Sequence, residues 1–369
     1  MRAGRMSRRV VARPICNDNP RSAIDEVLLL RCRVLPMTPT VPPSEVIAGD
    51  DGGDIARTVA TRLSLITVSY GSAALVERLA DAVWACGSPP LELVVVDNAS
   101  PDGSVERLRG REDIVLVASE HNLGFGQGCM LGAERARGDL LMFLNPDITP
   151  LDDIFETLVA NFLAAPSVAI SFPKVVAPGV PADRQRKLED VSSSGGAAML
   201  MSRGHLERVG GFDARIFLYY EETDLCWRTR LLGERVVQDW EAWILHDYHG
   251  TGGGPRWAAE QVKNGLLVHI RLRRASAVAR FAAWMLVKSA VRGVQFRDRA
   301  ILEAWLVTLR RLPGLLVERR TLLGTAGPRA RAELEAQCRL NARWQWYWRR
   351  QLLVARLRGS RDRWLHRNA

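Results

Sequence analysis

The sequence predicts an α/β protein: an open, doubly wound, mostly parallel sheet followed by a helical, basic C-terminal extension. Three observations carry this. Short continuous apolar runs alternate with segments of helical apolar spacing from Leu63 onward, the signature of βαβ units covered on both faces. Turn-forming residues gather immediately after the apolar runs, where an open α/β sheet binds its ligands. Beyond residue 255 the strand pattern stops and arginine-rich helical segments take over.

Taken in order, "LSLITVS" (63–69) reads as a buried strand and "ALVERLADAVWAC" (74–86) as a helix. "LELVVVD" (91–97) is a second strand, followed by the short helix "SVERLRG". "DIVLVAS" is a third strand and "GQGCMLGAERARG" a helix closed by Gly138. "DLLMFLN" is a fourth strand, "LDDIFETLVANFLAAP" a helix ended by Pro166, and "VAISFP" a fifth strand. The chain thus divides into an extension over 1–60 expected to be disordered, a sheet domain over 61–255 and a helical region over 256–369.

The 369 residues are 47% hydrophobic, enough for a sizeable core. Six scattered cysteines without a CxxC pair fit reduced thiols in a cytoplasmic protein, not a disulfide framework or zinc site. No uninterrupted apolar run reaches about 18 residues, so no transmembrane helix is expected, nor is a secretory signal. The net charge of +10 is unevenly spread. Residues 256–369 hold 25 Lys+Arg against 7 Asp+Glu, +18, while the preceding 255 residues come to −8. An anionic partner is implied for the tail only.

The unusual residues lie at the strand ends. Asp97 and Asn98 follow "LVVV", "HNLGFGQG" (121–128) follows the third strand, and Asn145-Pro146-Asp147 follows the fourth. Each alone is compatible with a turn; together they mark one edge of the sheet. Farther on, "LYYEETDLCWR" (218–228) crowds Glu221, Glu222 and Asp224 beside apolar residues. Crowded carboxylates resist ionisation, and a helix N-terminus lessens that cost. The segment is either an acidic first helical turn or the seat of a general base.

Together, "TVSYGS", "VVVDNASPDGS", "HNLGFGQG", "FLNPD", "VGGFDARIFLYYEETDLCWR" and the His-Gly cluster "ILHDYHGTGGG" resemble the family 2 inverting glycosyltransferases. The likeness is greatest to the rhamnosyltransferase-like branch that builds bacterial surface polysaccharides, and it covers roughly Leu63 to Gly254. It implies a GT-A fold, a nucleotide-diphospho-sugar donor, a glycan or polyprenyl-linked acceptor, and Mg²⁺ or Mn²⁺. By this resemblance Ser69 and Tyr70 support the nucleotide and Asp97, with Asn98, accepts from its base. Asn122 and Gly124 allow its close approach, and Asn145 belongs to the same donor site. Asp147 matches the last acid of the family's metal motif, although Asn145 stands where many relatives have a first Asp. Glu222 matches the catalytic base, more often Asp, with Glu221 as the alternative. Asp224 and Arg228, at i+3 and i+7 from Glu221, are placed to hold the acids by ion pairing. His246 or His249 completes the metal shell or contacts diphosphate, and "SSSGGAAML", with Gly195 and Gly196, faces sugar and acceptor. Rhamnose is favoured by resemblance alone.

In the tail, Arg273, Arg280, Lys288 and Arg292 share one arc of a helical wheel and Val278, Ala282, Leu286, Ala290 and Val294 the opposite one. A basic amphipathic helix suits an anionic membrane surface, which implies a peripheral enzyme on the inner face of the cytoplasmic membrane. Packing of the tail on the catalytic domain is the alternative. Two rival functions have less support. Gly124, Gly126 and Gly128 give GxGxG, not the GxGxxG of dinucleotide-dependent oxidoreductases, and no acid closes a following strand. No nucleic-acid fold signature accompanies the basic tail, so no nucleic-acid partner is expected.

Overall fold

The computed structural model describes residues 55, 58–60, 62–151, 153–176, 187–247, 255–296 and 299–340. The expectation for residues 1–60 therefore lies almost wholly outside the described residues, as does His249. The described residues belong to one compact unit that runs on from Asp50.

The parallel half of the sheet matches the apolar runs. Strands β1 (Leu63–Ser69), β2 (Glu92–Asp97), β3 (Val115–Ala118) and β4 (Leu140–Leu144) pair in the order β3-β2-β1-β4, all parallel. Because strand side chains alternate between faces, Leu63 and Leu65 join one core with Leu93, Val95 and Met142. Ile66 and Val68 join the other with Val94, Val96 and Phe143. Helix α1 (Ala73–Trp84) covers the first face and α3 (Phe125–Arg135) the second, with the one-turn α2 (Ser104–Leu108) between β2 and β3. The sheet is doubly wound, as expected.

Past β4 the sheet changes sense. After β5 (Ile148–Pro150) and α4 (Ile154–Leu163), β6 (Val168–Val176) does not join β4 directly. Strand β8 (Ala198–Ser202) lies between them, antiparallel to both. Strand β9 (Arg235–His246) runs parallel to β6, and its 12 residues are long enough to pair with both β7 (Leu188–Asp190) and β5. Register Ile148↔His246 sets the end of β9 beside the end of β4. Helices α5 (Arg203–Val209) and α6 (Glu221–Leu231) complete this half.

The C-terminal helices are not a separate layer. Helix α7 (Pro255–Leu272) places Val262, Leu266 and Val268 in the same core as Leu225 and Trp227 of α6. Helix α8 (Ala275–Phe296), α9 (Ala300–Thr325) and a helical segment over 328–340 follow. The expected boundary at 255/256 marks no break in packing. The reason is chemical: Arg271 of α7 bridges Asp213 and Asp224 at 2.7 and 2.9 Å. Among the described residues no helix is long and apolar enough to cross a membrane.

Candidate active site

A cavity of about 1580 Å³ opens above the carboxyl ends of β1, β2 and β4. Tyr70, Asn98, Asn122, Gly124, Asn145 and Asp147 line one end, Gly195, Gly196, Glu221 and Glu222 the middle. The fold thus brings together most of the residues singled out in the sequence.

At the nucleotide end, side-chain amides lock two loops. Asn98 Nδ2 donates to Asn122 Oδ1 (3.0 Å) and to the Gly124 carbonyl (3.1 Å), and its Oδ1 accepts from the Leu123 amide at 2.9 Å. Asp97 is buried below the cavity wall; its Oδ1 accepts from the Ser100 amide, and its Oδ2 has no partner among the described residues. A buried carboxylate oxygen left open is costly, and it suits a site that receives a donor such as a nucleobase N–H. Ser69 does not line the cavity; its hydroxyl is 2.8 Å from that of Ser72, which does.

The glycines of 124–128 let neighbouring elements pack closely. Gly124 has φ +79°, and a Cβ there would stand 2.2 Å from the Phe217 carbonyl oxygen, which accepts from the Phe125 amide. At Gly126 and Gly128 the same space is taken by Phe212 and Val68. The missing side chains let α3 close on β1 and on the 212–217 segment, and Gly124 itself lines the cavity.

Asp147 and His246 meet because β5 pairs with β9. The Asp247 amide donates to the Asp147 carbonyl at 3.1 Å, and His246 Nε2 lies 3.1 Å from Asp147 Oδ1. Both line the cavity. Two ligands about 2.1 Å from one six-coordinate cation stand about 3.0 Å apart, so this oxygen–nitrogen pair fits two neighbouring positions around a small divalent ion. Among the described residues no group of three His, Cys, Asp or Glu side chains is placed to hold a metal.

The two candidate bases open α6. Tyr219 and Tyr220 both have positive φ, +69° and +74°, unusual for bulky residues and a mark of stored strain. Helix α7 holds the turn: Asn264 Nδ2 donates to the carbonyls of Leu218 (2.9 Å) and Tyr219 (3.3 Å). Sequence reading missed Asn264, since a lone Asn in a helix carries no signal of a partner 46 positions away.

Glu222 packs beside Gly196, where a Cβ would stand 3.5 Å from its Cγ, and its Oε1 accepts from the Thr223 hydroxyl at 2.9 Å. Burial pushes its carboxyl above the ordinary range, with the Thr223 hydroxyl pulling the other way. Glu221 turns toward α3, near Gly126. It is pushed up further, by burial first and then by the charges of Glu222 and Glu260, and its Oε2 has no partner among the described residues. Asp224 is set apart from them. It is fully buried, does not line the cavity, and accepts from Arg228 Nε at 2.7 Å and from Arg271 at 2.9 Å. Arg228 also donates to the carbonyls of Val209 and Gly211. The expected ion pair is present, but Asp224 and Arg228 anchor the helix and do not reach a substrate space.

The family model described as "Glycosyl transferase family 2" matches residues 64–250, just over half of the chain. The chain belongs to glycosyl transferase family 2. The low-salt glycan biosynthesis hexosyltransferase Agl10 of Haloferax volcanii is 24% identical over 208 residues, 49% of this chain and 66% of that protein. The N-acetylglucosaminyl-diphospho-decaprenol L-rhamnosyltransferase of Mycobacterium tuberculosis is 24% identical over 241 residues, 52% of this chain and 78% of its own length. Coverage of a pre-mycofactocin glycosyltransferase from the same organism is lower, 38% of that protein. Among solved structures, a mannosyltransferase of Pyrobaculum calidifontis aligns with a TM-score of 0.46 at 21% identity, covering 76% of this chain and 80% of that one. As a family 2 member the chain keeps its cavity within the matched region at one end only; the wall made by α7 and α8 lies outside it.

Proposed function

We propose that this family 2 protein is an inverting hexosyltransferase that moves a sugar from a nucleotide-diphospho-sugar to a glycan or polyprenyl-linked acceptor. The observation that carries the reading is the convergence of three groups on one cavity: the Asn98–Asn122 lock, the Asp147–His246 pair and the half-buried Glu222. Glu222 accepts the proton of an acceptor hydroxyl as that oxygen forms its bond to the anomeric carbon. The bond from that carbon to the β-phosphate oxygen breaks on the opposite face, and the nucleoside diphosphate leaves with its electron pair. Configuration at the anomeric carbon inverts. Asn98 lines the space for the base and Asp97, buried beneath it, holds the following loop through the Ser100 amide, while Asp147 with His246 would hold Mg²⁺ or Mn²⁺. When bound, such an ion neutralises charge on the diphosphate. Glu221, pushed up by burial and by the charge of Glu222, lies beside the base at the start of α6.

The transferred sugar is read as rhamnose from the mycobacterial relative and the sequence motifs, not from any residue that recognises a deoxyhexose. The lipid-linked substrate in that relative's name supports our reading of a reaction at the inner face of the cytoplasmic membrane. Arg280, though exposed, and Lys288 line the cavity, and Arg273, just before α8, is buried against Glu335, so part of the basic arc borders the cavity. Exposed apolar residues of α8 and α9, among them Val287, Val291, Leu306 and Leu309, form the outer surface.

The test is a screen of nucleotide sugars for hydrolysis or transfer by the full chain, with Mg²⁺ and with Mn²⁺, and anomeric configuration read by NMR. Inverted product, or hydrolysis that depends on Glu222, supports the reading. Binding of NAD and not of any nucleotide sugar would replace it with the oxidoreductase alternative.

A further inference from the structure

The cavity is larger than one donor needs. Ligand pockets commonly enclose about 300–1,000 Å³, against about 1580 Å³ here. Its far wall is one stripe of α8: Ala277, Arg280, Phe281, Trp284 and Lys288 all line it, at the spacing of a single helical face. At 1.5 Å per residue that stripe is about 16 Å long.

The charges on this wall are unevenly neutralised. Arg273 is matched by Glu335 through two bonds of 3.0 and 2.9 Å. Arg280, and Arg339 from the 328–340 helix, also line the cavity, yet neither has a carboxylate partner among the described residues. Lys288 Nζ donates to Gln261 at 3.0 Å and lies 4.9 Å from the centre of the Trp284 ring. Guanidinium groups left without acids in a wall suit phosphate oxygens, which they bind in pairs of charge-assisted hydrogen bonds.

The wall also has an apolar exit. Trp284 stands at the rim, 46% exposed, and Val287 (66%) and Val291 (64%) continue from it at i+3 and i+7 on the outer surface. A ligand held here meets cations inside and an apolar track leading out. That combination fits an amphiphile with a phosphorylated head and a hydrocarbon tail.

We infer that Arg280, Arg339 and Lys288 form a second anion subsite, separate from the donor's, which binds the phosphate or diphosphate of a lipid-linked acceptor while its tail leaves over Trp284, Val287 and Val291. The inference rests on the transferase reading above and adds to it the acceptor class and the residues that recognise it. The Tyr220 ring meets Phe281 of this wall, 6.4 Å between centres, and Tyr220 directly precedes Glu221 and Glu222, so an acceptor sugar attached to that phosphate is directed toward the base.

Calorimetry on the full chain tests it, with geranyl diphosphate, geraniol and inorganic pyrophosphate as probes. Each is titrated in the presence of whichever of UDP, GDP or dTDP binds most tightly, at saturation, so that the donor end is filled. Geranyl diphosphate is expected to bind, geraniol not to bind detectably, and pyrophosphate to bind more weakly than geranyl diphosphate. The exposed Arg280→Gln and Arg339→Gln substitutions, combined, should weaken geranyl diphosphate at least tenfold while nucleotide affinity and melting temperature hold. Trp284→Ala should weaken geranyl diphosphate but not pyrophosphate. Competition between geranyl diphosphate and the nucleotide for one site, or equal affinity in the double variant, would overturn the second subsite. Pyrophosphate binding as tightly as geranyl diphosphate would overturn the lipid assignment. If no nucleoside diphosphate binds at all, the transferase reading fails by itself, and the double variant still decides the subsite by titration without nucleotide.

Discussion

Asn264 of α7 donates its side-chain amide to the carbonyl of Leu218 at 2.9 Å, so a helix beyond the family region fixes the turn that presents Glu221 and Glu222. Asn264 is fully buried. Replacing it by Ala leaves the Leu218 carbonyl without its donor, a loss of about 1–3 kcal/mol. Urea unfolding of Asn264→Ala should show that loss, and turnover should fall with it because Tyr219 and Tyr220 are released from their positive-φ conformations. Unchanged turnover in a destabilised variant would separate the clamp from catalysis.

Glu222→Gln keeps the shape of the side chain and removes its basicity. Turnover is expected to drop by about 100-fold or more, with donor affinity retained. Glu221→Gln should keep most of the activity, since that side chain turns toward α3 beside Gly126 and not toward Gly196 as Glu222 does. The reverse pattern in single-turnover assays would move the base by one residue.

Both acids predict pH effects of definite sign. Glu222 must be ionised to accept a proton, and burial raises its pKa. Activity should therefore fall as pH drops through a value above the ordinary carboxylate range of about 4.3. Glu221 affects stability. Its folded pKa is raised by burial, so the folded state binds the proton more tightly than the unfolded chain. That contribution is complete below the unfolded pKa and is lost as pH rises through the folded one. Thermal melts across pH should show Glu221→Gln gaining on the natural chain as pH increases.

Asp147→Ala should abolish metal-dependent donor binding with the fold intact, because the side chain sits at a strand end and not in either core. Titration of a nucleotide sugar with and without Mn²⁺ measures this. His246→Ala should weaken the metal dependence without erasing it.

Gly124→Ala should be among the more damaging small substitutions, since the added carbon collides with the Phe217 carbonyl at a positive φ. A cost of about 1–3 kcal/mol is expected from the backbone alone. Gly195→Ala, where a Cβ meets nothing within 4 Å, is the control. Melting temperatures of the two variants compare them directly.

The parallel half was legible because β1, β2 and β4 are continuous apolar runs bounded by turns, and all three match within a residue. The other half was not. Strands β5 and β7 have three residues each, too few to show a period, and the "LED" of β7 is only half-buried. Asp147, Glu222 and His246 stood out through motif and position. What filled the space beside Gly124, and which arginine reached Asp224, depends on contacts made by Phe217 and Arg271, distant in sequence. A helical wheel of α8 gives which residues share a face and not what that face meets; Arg280 is exposed and yet lines the cavity with Lys288.

The far wall of the cavity begins at residue 255, where the family match has already ended. With the acceptor subsite proposed above, donor chemistry and acceptor recognition would be encoded in consecutive stretches of the chain that can diverge independently. Relatives that share the first stretch can differ in the second, and a chimera that exchanges residues 255–340 between two of them should inherit its nucleotide sugar from one parent and its acceptor from the other.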